Sequence, residues 1–347
     1  GQLYCEWRYG RIREGLIMAI KSNNPAAYYF NMFGNTGHDA GNPPSPPPMS
    51  ASGGTTVIDG DYTYHVYASD STFVVSGGNG EVEALIIGGG GAARGDWPGG
   101  GGAGGVAHAE NWPMTPGTYP VVIGDGGAAG PISSGDGSAN KGSNTTFNGI
   151  TGLGGGAGTQ DAYQSPLPFN SAYLSGGSGG GNGDEPGGPT TAAGTGTQPT
   201  QPTHSGLVTN YGNPGYTPAG GNTWPAANQD NGGGGGAGSG GPSTTDGGVG
   251  GNGAPFSNFP GPVLAPAIPG VPTWASVVGP TGLFAGGGGG SYQAAGSRAG
   301  GPGGGGTSGP SGSQGLDYTG GGGGGKSGNS SGGYDGGKGI VIIRRLT

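Results

Sequence analysis

The chain has 347 residues, 96 of them Gly and 30 Pro, with a formal net charge of −8. Glycine comes in blocks such as Gly232 to Gly236, Gly286 to Gly290 and Gly320 to Gly325, which excludes collagen, whose triple helix needs Gly at every third position. No Lys or Arg falls between Gly142 and Ser297, which argues against a nucleic-acid partner, and no apolar run approaches the ~20 residues of a membrane span.

Cys5 is the only cysteine, so there is no internal disulfide framework. The chain opens Gly1-Gln2 without Met and shows no secretory apolar region, which reads as a processed or truncated start. Hydrophobic residues make up 30%, little apolar area to set against the entropy of ordering the chain. Packed polyglycine II helices offer another core. They have three residues per turn and no internal hydrogen bonds, so each amide is free to bond to a neighbouring helix. Pro suits the same backbone because its φ is already set near the required value.

Residues 1–50 carry Arg8, Arg11, Arg13 and Lys21, the apolar run Leu16 to Ile20, and the Pro-rich stretch Pro43 to Pro48. An apolar module before a stiff spacer suggests an attachment or oligomerisation segment. Residues 51–153 read as a β-sandwich. Strand-like runs occur at Tyr62 to Tyr67, Thr72 to Val75, Glu81 to Ile87, Gly105 to Ala109, Tyr119 to Ile123 and Asn144 to Phe147, punctuated at hairpin spacing. Glu81 to Ile87 runs straight into Gly88 to Gly91, a strand feeding a glycine rod. Residues 154–338 read as a lattice with connecting loops and no helix, since each Gly costs roughly 1 kcal/mol in a helix interior. Residues 339–347 hold Ile340 to Ile343, an inner-strand pattern apolar on both faces. It is expected to return beside Val82 to Ile87, enclosing the lattice as an insertion. The fold class is thus all-β, a jelly-roll-like sandwich with a large inserted polyglycine II lattice.

Several patterns imitate chemistry. Gly320 to Gly325 with Lys326-Ser327 spells a phosphate loop, and Gly88 and Gly90 with Glu110 imitate a dinucleotide fingerprint. Both need a helix after the loop, and the flanking glycines forbid one. Arg94-Gly95-Asp96 spells an integrin-type tripeptide, short enough to arise by chance. His38, His65, His108 and His204 lack metal-ligand spacing. The acids Asp59, Asp61, Asp70, Glu81, Glu83, Asp96, Glu110, Asp125 and Asp136 read as a solvated acidic face. No metal or cofactor site is assigned, and no nucleophile, base and orienter stand together, so an enzyme is not expected. An ice-binding face would need a small residue at every third position, which the loops interrupt.

The order of strand, glycines, Gly104-Gly105-Val106, Pro116-Gly117-Thr118-Tyr119 to Gly127, glycines and Gly337-Lys338-Gly339-Ile340-Val341-Ile342-Ile343-Arg344 resembles the glycine-rich domain of phage virion fibre proteins over roughly residues 55–347. It is also similar to the glycine-rich region of anaplastic lymphoma kinase-type receptors, without their cysteines, and to the polyglycine sandwich of T-even-like tail-tip adhesins. The resemblance implies a virion protein on the phage tail or capsid surface: a tail fibre or receptor-binding adhesin whose loops touch a host glycan or outer-membrane protein. It implies a homotrimer, with residues 1–50 contacting other virion proteins and no membrane insertion. Flat aromatics with few charges suit such contacts, which singles out Tyr163, Tyr173, Tyr211, Tyr216, Trp224, Phe259 and Trp274. The alternative is a head fibre, capsid decoration protein or extracellular filament subunit without a receptor.

Overall fold

A computed structural model describes residues 48–94, 98–129, 141–158, 172–183, 192–217, 231–242, 248–291, 296–326 and 333–347. The expected attachment segment lies almost wholly outside these residues. The strands, in chain order, are β1 (Ser50–Ser52), β2 (Thr55–Asp59), β3 (Tyr62–Tyr67), β4 (Ser71–Gly77), β5 (Gly80–Ile87), β6 (Val106–Met114), β7 (Gly117–Val122), β8 (Thr145–Phe147), β9 (Ile150–Gly152), β10 (Val208–Tyr211), β11 (Ala254–Pro255), β12 (Leu283–Phe284) and β13 (Ile340–Leu346).

Two antiparallel sheets form an all-β sandwich. One has the order β1-β4-β7-β8-β9, the other β10-β6-β5-β13-β3-β2. Period-two alternation sends Phe73, Val75, Val121, Phe147 and Ile150 of the first sheet against Tyr67, Ala84, Ile86, Ala107, Val341 and Ile343 of the second. The return of β13 is as expected: Ile340 stands opposite Ile87 and Ile342 opposite Leu85. On its other side Val341 faces Tyr67. All four residues Ile340 to Ile343 are fully buried, because the six-stranded sheet is covered on both faces.

The second cover differs from expectation. Residues 254–284 bring Phe256, Phe259, Leu264, Trp274, Val278 and Phe284 onto the face carrying Leu85, Ile87, Val106, Ile340 and Ile342. This layer contains two short helices, α1 (Gly261–Leu264) and α2 (Trp274–Val278). The no-helix reading fails here because glycine is locally sparse. Pro sits in the first turn of α1, where its missing N–H costs nothing. Gly279, at φ +62°, closes α2 and returns its N–H to the Ala275 carbonyl. A further strand, β10, also lies inside the stretch expected to be lattice, and it extends the six-stranded sheet at β6.

The glycine segments pack as three-residue-per-turn rods, as their donors show. Gly88 donates to the Gly105 carbonyl, Gly89 to Ser143, Gly90 to Gly337, and Gly91 returns to the first neighbour at Gly102. The rod 98–105 lies inside a ring of six. Gly100, Gly101 and Gly102 donate to Gly232, Gly323 and Gly156, and Ala103, Gly104 and Gly105 repeat that cycle on Gly235, Gly320 and Leu153. Its carbonyls at Gly100, Gly101 and Gly102 accept from Gly181, Gly288 and Gly91. At its glycines such spacing leaves no room for a side chain: a Cβ at Gly100 would stand 2.0 Å from the Gly288 oxygen, and one at Gly104 2.0 Å from the Gly88 oxygen, whereas the methyl group of Ala103 is accommodated in full burial. The rods are not confined to residues 154–338, since 88–94, 98–105 and 124–127 belong to the same network. Strand and rod are interleaved along the chain.

Candidate functional site

The hydrogen-bond register fixes the direction of each rod. Residues 88–94 lead away from β5, and 98–105 lead back into β6. Gly101 and Gly104 bond to Gly323 and Gly320, so 320–326 run outward, and Gly90 and Ala93 bond to Gly337 and Tyr334, so 333–339 run inward to β13. The same reading holds for 153–158 out, 176–183 out and 192–197 in, and 211–217 out with 231–237 in. It holds again for 248–253 in and 285–291 out. Outward rods are followed, and inward rods preceded, by the segments 95–97, 130–140, 159–171, 184–191, 218–230, 243–247, 292–295 and 327–332. The described residues flanking them, such as Arg94 and Pro98, Gly158 and Ala172, or Thr217 and Asn231, therefore gather at the lattice end remote from the sheets.

The seven aromatics singled out from sequence do not share one place. Tyr173 and Tyr216 stand half-buried near that remote end, where their carbonyls accept from Ala157 and Asn182. Tyr163 and Trp224 lie outside the described residues. Tyr211 is on β10, the edge strand of the six-stranded sheet, with its ring edge-on to Phe256 at 5.3 Å. Phe259 and Trp274 are fully buried. The Trp274 Nε1 donates to the Tyr318 carbonyl at 3.0 Å, and its ring meets Phe284 at 5.8 Å. Those two side chains belong to the second core and present nothing to a partner. An aromatic in a Pro-rich segment looks the same in sequence whether it caps a core or faces outward.

The phosphate-loop imitation is spent within the lattice. The amides of Gly320, Gly322, Gly323, Gly324 and Gly325 donate to Lys338, Gly286, Gly91, Ser313 and Gly289, so none is left to cradle a phosphate. The Gly88 to Gly91 amides are committed likewise.

At the base, a charged group that sequence spacing does not reveal sits between the six-stranded sheet and the 254–284 layer. The Glu83 carboxylate, on β5, accepts from Arg344 at 2.7 Å, pairs with His108 Nε2 at 2.9 Å, and accepts from Asn258 Nδ2 at 3.0 and 3.1 Å. Tyr64 donates to the Asn258 carbonyl at 3.0 Å. The Arg344 guanidinium lies 3.5 Å from the centre of the Tyr62 ring. His108 meets the edges of Phe256 and Phe259. Burial alone would raise the Glu83 pKa, but hydrogen bonds from His108, Asn258 and Arg344 outweigh it and hold the carboxyl below its ordinary value. Burial works against the charge on Arg344 too, and Glu83 more than compensates, so its pKa is raised. The two partners agree: the pair stays ionised. The expected solvated acidic face does not include Glu83, whose side chain is only 13% exposed.

Strand order, rod register and the return of β13 together describe one closed architecture. A family model described as a glycine-rich domain matches residues 66–345. The chain belongs to this glycine-rich domain family. The match begins in β3 and ends in β13, and these two strands are hydrogen-bonded neighbours, with Val66 opposite Ile342. The glycine-rich domain is therefore a unit whose first and last strands close on each other. A search of curated proteins finds no match to the chain.

Proposed function

We propose that this glycine-rich domain protein is a phage virion component, a tail fibre or receptor-binding adhesin that attaches to a host surface glycan or outer-membrane protein. The observation carrying this reading is that the described residues flanking eight connecting segments gather at one end of a lattice whose interior is mostly backbone. Such a lattice holds its connections by backbone bonds from many rods at once, so the connections are free to vary in sequence without disturbing the core. By sequence two of the segments contain Tyr163 and Trp224, and the described Tyr173 and Tyr216 stand near the remote end; aromatic residues of this kind are what binding interfaces favour. In this reading the protein is extracellular, on the virion exterior. It acts as a homotrimer bound to other virion proteins through residues 1–50, and it performs no catalysis.

Exchange of residues 159–171 and 218–230 for the corresponding segments of a phage with another host tests the reading. Host range is expected to follow the segments. Unchanged host range, with the exchanged protein still incorporated into virions, would sink the assignment and favour a decoration role.

A further inference from the structure

Glu83, His108 and Glu110 each offer one ligand atom, and these atoms lie within 4.8 Å of one another. They come from two strands, β5 and β6. The pairing of those strands shifts by one residue between Val82 and Ala84: Ala84 stands opposite Ala109, but Val82 opposite Trp112. Glu83 thus faces a bulge made by Glu110 and Asn111, and Asn111 takes a left-handed φ of 50°. The bulge sets two carboxylates across from each other, an arrangement that is destabilising unless a cation joins them. Arg344 neutralises Glu83 from the other side, while Glu110 has no ion-pair partner among the described residues. Arg344 thus balances one of the two carboxylate charges and leaves the other, among the described residues, without a partner.

The donor set narrows the ion. One imidazole and two carboxylates suit zinc, whose tetrahedral sites take His nitrogen and carboxylate oxygen, whereas calcium favours six or more oxygens. The Asn258 amide, already against both Glu83 oxygens, supplies a fourth donor if it turns to present Oδ1.

We propose that Glu83, His108 and Glu110 bind a zinc ion at the seam between the six-stranded sheet and the 254–284 layer. On binding, the Nε2 proton that His108 shares with Glu83 is released to solvent, and the ion takes the freed Nε2 lone pair, one oxygen of Glu83 and one of Glu110. Arg344 remains on the second Glu83 oxygen and orients the carboxylate. Phe256 and Phe259 wall the imidazole on the layer side. Because Asn258 is adjacent in chain to Phe259, the bound ion fastens the layer to the sheet.

The test uses the full chain, dialysed against a chelator and then titrated with zinc chloride by calorimetry, with thermal melts alongside. Wild type is expected to bind one equivalent of zinc and to melt several degrees higher with it. Glu110→Gln, at an exposed position, is expected to lose at least about tenfold in affinity. Without metal it should melt no lower than metal-free wild type, since the opposed carboxylates are gone. His108→Asn should abolish binding, while Cys5→Ser, His38→Asn and His204→Asn leave it unchanged. No zinc uptake by wild type, or wild-type affinity in Glu110→Gln, would overturn the proposal.

Discussion

A methyl group added at Gly101 would place a carbon 2.0 Å from the Gly91 carbonyl oxygen and 2.7 Å from its carbon. Both are lattice backbone, and neither can swing aside. Gly77, in β4, has nothing within 4 Å of the same added atom. Gly101→Ala is therefore expected to cost about 3 kcal/mol or more, the upper end of overpacking penalties. Gly77→Ala should be neutral or stabilising by up to about 1 kcal/mol, because it removes freedom from the unfolded chain. Urea unfolding of the two variants checks both, and equal effects would mean the rods are looser than their hydrogen bonds imply. At this scale the sequence is only partly legible. Glycine blocks announce rods, but nothing marks Phe259 and Trp274 as core aromatics while Tyr216 stays near the surface. Nor does spacing bring Glu83, His108 and Glu110 together, because strand pairing does that.

Among the elements, β13 was readable and the 254–284 layer was not. Four consecutive apolar residues at Ile340 to Ile343 demand cover on both faces, and the sheet order supplies it. The layer that provides one of those covers is written in spaced Pro and small apolar residues, a pattern with neither clean helical nor strand period. β10 was hidden for a similar reason, since four residues in a Thr- and Asn-containing stretch make a weak strand signal. The layer hangs on Trp274, which is buried and bonded to Tyr318. Trp274→Ala should cost about 3–5 kcal/mol. It should open the layer before the sandwich. Amide exchange is then expected to rise first in 256–284, with β4 and β7 still protected. Simultaneous exchange in both would show that layer and sandwich unfold as one unit.

At the scale of the molecule, the chain holds two kinds of interior, and the sequence told them apart by composition alone. The sandwich and its second cover bury Leu, Ile, Val and aromatic side chains, whereas the lattice buries peptide groups bonded to one another. What composition did not reveal is how thoroughly the two are interleaved, with rods leaving and re-entering the sheets at β5, β6, β7, β8 and β13. That interleaving depends on long-range partners such as Gly90 and Gly337.

The six-neighbour packing around residues 98–105 also has a calorimetric consequence. Unfolding exposes apolar surface, which raises heat capacity by about 0.45 cal/K/mol/Å², and polar surface, which lowers it by about 0.26. A lattice of peptide groups shifts that balance toward the negative contribution. The heat-capacity increment per residue, measured by scanning calorimetry, should fall well below the ~12–15 cal/mol/K of ordinary domains. An ordinary value would show that the lattice melts separately or contributes little. A small increment flattens the dependence of stability on temperature. Chilling, which weakens an interior made of hydrocarbon, should then leave this protein nearly as firm near freezing as at room temperature.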